Sequence, residues 1–584
     1  MLTNMIKVEK SYFLVLPLVV FLMAPSIHDP HGVTRLVGLV VGTYFMLLIN
    51  PKGLIFTNTI QFFLWALVGA YIVIQLILKN DLQQFLLGSF TRNGGLIALI
   101  CFALIFNFVS NYKLPISNLF CKSIIFTLFG LTIFGLLEKY SLLPFEVISK
   151  YEGALGLTLV NPNFASSYLA IAISVLVIYT LLIQYRYNYL AAIILLPAIY
   201  IFTQTNSLQG YLLVLINFIL LIIYKRVLVI KLFNKAKMLS LILIGMVLVL
   251  IIINISQLFS WIQNNGSVTQ RLNYWRLVLD VWADHKLIGV GLENLRDYAP
   301  RYRSEALVKQ EGIFTNPDRA HNVFLDHLVQ GGLLAGIIWF LFILTISTLA
   351  ARNLLSKTKN LTPTDFIVIM VWFSYVAQSA ISVDHLALTL LGVISGAIIA
   401  RNNLNKWITI RPRKETRSII FALSTIVTAL VLSCLIFLGQ VIRFEYWALD
   451  VVSRKNSTYL QKIYESKIVV PQTIEDIAVE ISKAKNFDLA YTFGEKLLKH
   501  RPSSHQGYYI RSVYFESKLD LNSAKTAMLK ALELDPYNSV YLASMSIYEY
   551  KLNNLSEAKK YYGMAKDINP NQEGLDLISE YITD

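Results

Sequence analysis

The segment NPDRAHNVFLDHLVQGG, residues 316–332, gathers Asp318, Arg319, His321, Asp326 and His327 into one short run. An apolar stretch, GLLAGIIWFLFILTISTLA, opens on its last glycine. Ionisable groups are costly in lipid and mark function where a membrane chain keeps them. A histidine changes charge near neutral pH and can carry a proton. An arginine presents a planar fork to anionic oxygens. The run can therefore bind an anion and move a proton at a membrane surface. A second candidate stretch, SVTQRLNYWRLVLDVWADHKLIGVGLENL, begins at residue 267. Its Tyr274, Trp275, Val278, Leu279 and Trp282 recur at i, i+1, i+4, i+5 and i+8, which predicts an amphipathic helix with an aromatic face. Arg271 stands one turn before that face, and Gly289 and Gly291 break the helix. RDYAPRYRSEALVKQEG follows, basic and aromatic.

The local elements follow from the same residues. Asn316-Pro317 predicts a helix start, with asparagine as cap and proline in the first turn, so His321 is expected near a helix N-terminus. His327, six residues on, is expected to face away from His321 as an interfacial polar group. Arg276 precedes Asp280 by four residues, the spacing of a surface ion pair.

The surrounding chain reads as a membrane body. Of 584 residues 55% are hydrophobic and 15% charged, with mean hydropathy +0.56, too apolar for a soluble enzyme. Thirteen apolar stretches are candidate spans: 11–27, 33–49, 54–78, 94–110, 117–137, 164–183, 189–203, 209–224, 238–256, 331–350, 365–382, 386–400 and 418–440. The seventh and twelfth are short, so twelve to thirteen spans are expected. The first reads as an uncleaved helix because no small-x-small cleavage site is evident. Lys and Arg cluster in alternate loops, most densely in KRVLVIKLFNKAK and around Arg411–Arg417, which predicts a cytoplasmic N-terminus. The net charge of +15 lies in this body, and it suggests anionic lipid and loop orientation rather than nucleic acid. The spacing of Cys101, Cys121 and Cys434 suggests neither a disulfide framework nor a zinc site.

Four regions result: a first membrane part over 1–256, an extracytoplasmic loop over 257–330, a second membrane part over 331–440, and a C-terminal region over 441–584. An odd number of spans places the last region outside. It carries a repeat: Pro502, Pro536 and Pro570 are 34 residues apart, as are Ala490, Ala524 and Ala558. A 34-residue period, with alanine where two helices meet and proline after the second, is the tetratricopeptide pattern of an α-solenoid.

Taken together, RLNYWR, HKLIGVGLENL and RAHNVFLDHLVQGGLLAGIIWF resemble the bacterial O-antigen ligase and O-antigen polymerase superfamily. LGLTLVNPNFASSYLAIAI is similar to its Asn-Pro-Asn entry to a helix, and AQSAISVDHLALTLLG to its late outer-loop segment. Many members carry C-terminal tetratricopeptide repeats. The resemblance implies an all-α polytopic bundle of the membrane glycosyltransferase type. It implies glycan transfer from a polyprenyl-diphosphate donor to an acceptor hydroxyl outside the bacterial plasma membrane, without metal or cofactor and with inversion. The acceptor would be a glycan, a lipid or a protein. In that setting Arg271 would hold the diphosphate, and His321 would serve as base or orient the acceptor. Arg319 or Arg276 would add charge. Asn322, Asn161, Asn163, Asp384 and His385 are candidate substrate contacts. Members commonly place a Ser-Arg pair at the entrance of the helix over 209–224, whereas this chain reads Ser207-Leu208-Gln209. Either a neutral amide such as Gln209 takes that contact, or Arg35 or Arg92 moves in.

Three other readings remain open at this level: a transporter or flippase of lipid-linked glycan, a protein O-oligosaccharyltransferase of the same superfamily, and a membrane-anchored scaffold whose repeats bind a protein. Polymerase and ligase differ only in acceptor, and nothing in the sequence separates them.

Overall fold

A computed structural model describes residues 14–112, 116–145, 147, 153–183, 188–226, 266–356, 361–403, 416–575 and 579. The expected span over 238–256, and most of the two basic loops, lie outside the described residues. All the helices and strands long enough to be elements among the described residues are helices.

The body begins with α1 (Val15–Phe21), α2 (Gly32–Ile49), α3 (Gln61–Leu78), the short α4 (Leu82–Leu87), α5 (Leu96–Ser110) and α6 (Ser117–Lys139). It continues through α7 (Pro162–Leu182), α8 (Asn188–Thr203) and α9 (Leu208–Tyr224). The loop region folds as α10 (Gly266–Asp284), α11 (Leu295–Tyr302) and α12 (Glu305–Glu311). Then come α13 (Val323–Leu355), α14 (Pro363–Ser379), α15 (Leu386–Asn402) and α16 (Thr416–Val452). Six of these, α2, α3, α6, α7, α13 and α16, are long and apolar enough to cross a membrane. Together with the shorter apolar helices they make this an all-α, multi-pass membrane protein.

Local sequence sets many of the boundaries. Proline fills the first turn of α7 and α14, where its missing N–H costs nothing. Asn161 and Thr362 cap these two helices through side-chain oxygens, at 2.9 Å and 3.1 Å. Close helix contact uses small residues: Gly392 and Gly396 of α15 lie against the rings of Tyr375 and Trp372 of α14, where a Cβ would come within 2.3 Å and 2.8 Å. Apolar residues such as Phe421, Leu430 and Ile436 line the outside of α16, as suits a helix facing lipid. That helix runs twelve residues past the 440 boundary, so the C-terminal region grows directly out of it.

The C-terminal region opens with α17 (Leu460–Glu465) and then forms three helix pairs. These are α18 (Pro471–Lys483) with α19 (Phe487–His500), α20 (His505–Ser517) with α21 (Leu521–Leu534), and α22 (Ser539–Lys551) with α23 (Leu555–Ile568). Ala490, Ala524 and Ala558 are buried in the second helix of each pair. The three prolines each follow the end of that helix by two residues.

Candidate functional site

The helix expected to open at Asn316 opens instead at Val323. Asn322 is its cap, and its side-chain oxygen accepts from the N–H of Phe324 (3.0 Å) and Leu325 (3.3 Å). Asn322 has a shorter distance to the periodic apolar run, and that decides the cap. Residues 313–322 are therefore loop, and His321 sits in it with φ +56°. A left-handed backbone is uncommon for a residue with a Cβ and is found where surrounding contacts hold it.

Ten residues into α13 the helix breaks. Gly332 adopts φ +59° and ψ −161°, which only glycine tolerates easily. The break frees backbone groups, and the Gly-x-Gly segment takes them up. Val290 N–H donates to Val329 C=O and Gly291 N–H to Gln330 C=O, both at 2.9 Å. Leu333 N–H donates to Lys286 C=O at 2.9 Å. A Cβ on Gly289 would stand 2.4 Å from the Val329 oxygen, so glycine is needed for this backbone-on-backbone contact. The glycines read from sequence as a helix break thus dock the loop on the kinked helix.

This docking carries Glu293 into the interior. Its carboxylate pairs with the Arg319 guanidinium and accepts from Ser89 N–H (3.0 Å) and Oγ (2.8 Å). Asp326 accepts from Ala320 N–H at 2.7 Å and so pins the loop before it. Arg92 donates from Nε to Asp318 at 2.9 Å. Around these groups lies a cavity of about 50 Å³, walled by Arg92, Glu293, Arg319, Asp326, His327, Gln330 and Asp384, with Phe102, Trp339 and Leu386 on the apolar side. Burial raises the Asp384 carboxyl to about 6, against the pull of Arg319. Burial also pushes Asp318 up, but Arg92, Arg319 and His321 outweigh it and hold that carboxyl below the usual range. Arg319 is disfavoured by burial, yet Glu293, Asp326, Asp318 and Asp384 hold its proton more firmly than usual.

The expected site residues distribute as follows. Arg319 and Asp384 face the cavity. His321 lies outside its wall, with its ring 5.6 Å from that of Tyr274 on α10. Arg271 is one turn before Tyr274 on that helix. Tyr274 is itself fixed by donating to Glu311 at 2.7 Å. The buried stripe of α10 is Tyr274, Leu277, Val278 and Val281, rotated from the expected face so that Leu279 is exposed. Arg276 is exposed, and among the described residues it makes no ion pair with Asp280. His327 packs on Trp339 (4.4 Å between centroids) and meets Tyr71 Oη at 2.8 Å, lining the cavity instead of standing at an interface.

Asn161 serves as the cap of α7. Asn163 Oδ1 accepts from Ser207 Oγ at 2.7 Å, and Gln209 is buried with neither amide atom hydrogen-bonded among the described residues. His385 turns away from its neighbour Asp384 to cap α15, with its Nε2 3.1 Å from Arg35 Nη1 and its ring 4.7 Å from Phe164. Arg35 also donates to the Thr158 carbonyl. The Arg92 guanidinium lies over the Phe164 ring, 5.9 Å from its centroid. Sequence reasoning passed over Glu293 and Ser89. A lone carboxylate two residues after Gly291, in an otherwise apolar run, was the available signal.

Residues 190–340 match the O-antigen ligase family model. The matched stretch runs from α8 to just past the kink of α13 and holds Arg271, the Gly-x-Gly segment, Glu293, Arg319, His321 and Asp326. Arg92 and Asp384 reach the cavity from outside that stretch. No curated protein matches the chain. The family match supports O-antigen ligase-like glycan transfer in the cell envelope.

Proposed function

We propose that the chain transfers a glycan from a polyprenyl-diphosphate donor to an acceptor hydroxyl on the extracytoplasmic face of a bacterial plasma membrane. The observation that carries this reading is the overlap of the O-antigen ligase match with the segment that holds Arg271, His321 and Arg319, the last of which lines a small cavity with charged groups on one side. The donor's leaving group is a lipid diphosphate, and guanidinium forks bind its oxygens in pairs. Arg271 takes that role from α10. Arg92, joined to Asp318 at the cavity wall, supplies the charge that Ser207-Leu208-Gln209 lacks. Arg319 is engaged by Glu293 and holds the loop shape.

The acceptor hydroxyl loses its proton as it attacks the anomeric carbon. His321, half-exposed beside Tyr274, is the proposed base. Attack opposite the diphosphate inverts the anomeric centre. Asp384, raised to about 6 in the cavity, is proposed as a second proton-accepting group. The three C-terminal helix pairs are read as tetratricopeptide repeats. The deciding experiment is His321→Ala in cells: loss of the envelope glycan with accumulation of its lipid-linked precursor supports the reading, whereas unchanged glycan overturns it. Analysis of chain length against attachment in the same cells separates polymerase from ligase.

A further inference from the structure

A groove of about 550 Å³ opens on the C-terminal region between α17 and α19, far larger than the buried cavity. Tyr464, Lys467, Thr492, Lys496, Lys499 and His500 form its working surface. Lys496 donates to the carbonyls of Ile463 (3.0 Å), Tyr464 (2.6 Å) and Ser466 (3.1 Å), so its ammonium is fixed without an anion. Burial and the neighbouring Lys499 both lower its proton affinity, which marks excess positive charge there. The carboxylate of the lining, Glu495, is already held by Arg511 through two bonds of 2.8 Å. Lys467 and Lys499 are exposed, and no ion pair among the described residues involves either. The Tyr464 ring is exposed on the same surface.

We infer that this groove binds an acidic glycan, with the lysines on its carboxylates or phosphates and Tyr464 against a sugar face. The volume falls in the range of ligand sites, about 300–1,000 Å³. Its position favours a strand over a lipid headgroup. His500 is held by Asp81, and the next residue, Arg501, bonds Gln84 at 3.1 Å. Arg501 also walls a small cavity whose far side carries Asp318, the partner of Arg92. The groove is thus one residue removed from a cavity that the loop before His321 also lines, the side on which an acceptor or product strand would emerge. This assignment of the ligand rests on the glycan-transfer reading; the anion-binding groove itself does not.

The test uses the full chain purified in detergent, titrated calorimetrically with a short oligogalacturonate and with its methyl ester, which keeps the backbone and removes the charge. Oligogalacturonate is expected to bind, and the ester or the K467Q/K499Q variant to bind about tenfold more weakly. Tyr464→Ala is expected to weaken both sugars. All three positions are exposed, so an unchanged melting profile confirms the fold. Equal binding of acid and ester, unchanged binding by K467Q/K499Q, or no binding of either sugar overturns the inference. So does lysine-dependent binding of phosphatidylglycerol vesicles without oligogalacturonate binding, which would make the groove a lipid site. His321→Ala separates the two readings: it should lower transfer by about 10²–10⁴-fold and leave oligogalacturonate binding intact. If transfer survives that substitution while the groove still binds, the catalytic reading fails and the groove stands.

Discussion

At His321 a left-handed backbone, a ring against Tyr274 and a position one residue before a helix cap coincide. A side chain held in this way is pre-set for one task. Replacing it with alanine should lower transfer by about 10²–10⁴-fold, the usual contribution of a positioned general base, as read by release of lipid diphosphate in vitro. Asp384 gives a pH signature. Its carboxyl is raised to about 6, so the ionised form that accepts a proton is lost as pH falls below that value. Transfer should therefore decline on the acid side with an apparent pKa of about 6 and level off above it. Asp384→Asn should reduce the plateau without lowering the melting temperature, because it removes a carboxylate whose burial is unfavourable. A rate that is flat from pH 5 to pH 8 (about the range of histidine titration) would refute this assignment.

At the scale of the element, the kink of α13 and the Gly-x-Gly segment are one device. The bonds that the kink removes from the helix reappear between Val290, Gly291 and Leu333 and their partners. Gly332→Ala would put a Cβ 2.2 Å from the Leu287 carbonyl oxygen and force alanine into a conformation it resists. The backbone strain alone costs about 1–3 kcal/mol. The variant should melt earlier and expose the loop to protease near Gly289, while Gly439→Ala, on an open surface of α16, should change neither. The rotated face of α10 belongs to this scale too. Sequence periodicity marked the helix and its aromatic character, but the neighbours Val290, Leu295, Ala299 and Val329 decide which residues are inside.

At the scale of the molecule, the C-terminal region is fastened to the loop by buried charge. Arg303 Nη2 donates to Asp535 at 2.7 Å with both side chains inaccessible, and its other nitrogen donates to the carbonyls of Ile313 and Thr315. Arg501 joins Asp297 (3.0 Å) and Glu475 (3.2 Å). Breaking a buried pair leaves one charge unpaired, so Arg303→Ala should cost about 3–5 kcal/mol. Arg303→Met with Asp535→Leu should recover only part of that loss: it removes the unpaired charge but leaves the Ile313 and Thr315 carbonyls and the Asn538 amide without their present partners. Thermal-shift measurement of the single and double variants checks this. If the single variant melts like the parent, the fastening is not energetically important. Of the eight basic residues over 257–330, Arg296, Arg303 and Arg319 serve contacts inside the protein.

The sequence alone determined the membrane class, most helix positions and the three-pair C-terminal layout, because each rests on local composition or a fixed period: apolar length for spans, 34 residues for the pairs. It also picked out the run from Asp318 to His327, since charge beside an apolar segment is visible without coordinates. Only the tertiary structure decided that Arg319 meets Glu293, that Asp384 shares a cavity with it while His385 turns to Arg35, and that His327 points inward. Those pairings join residues far apart in the chain, and local pattern carries no information about which distant charge a buried group will meet.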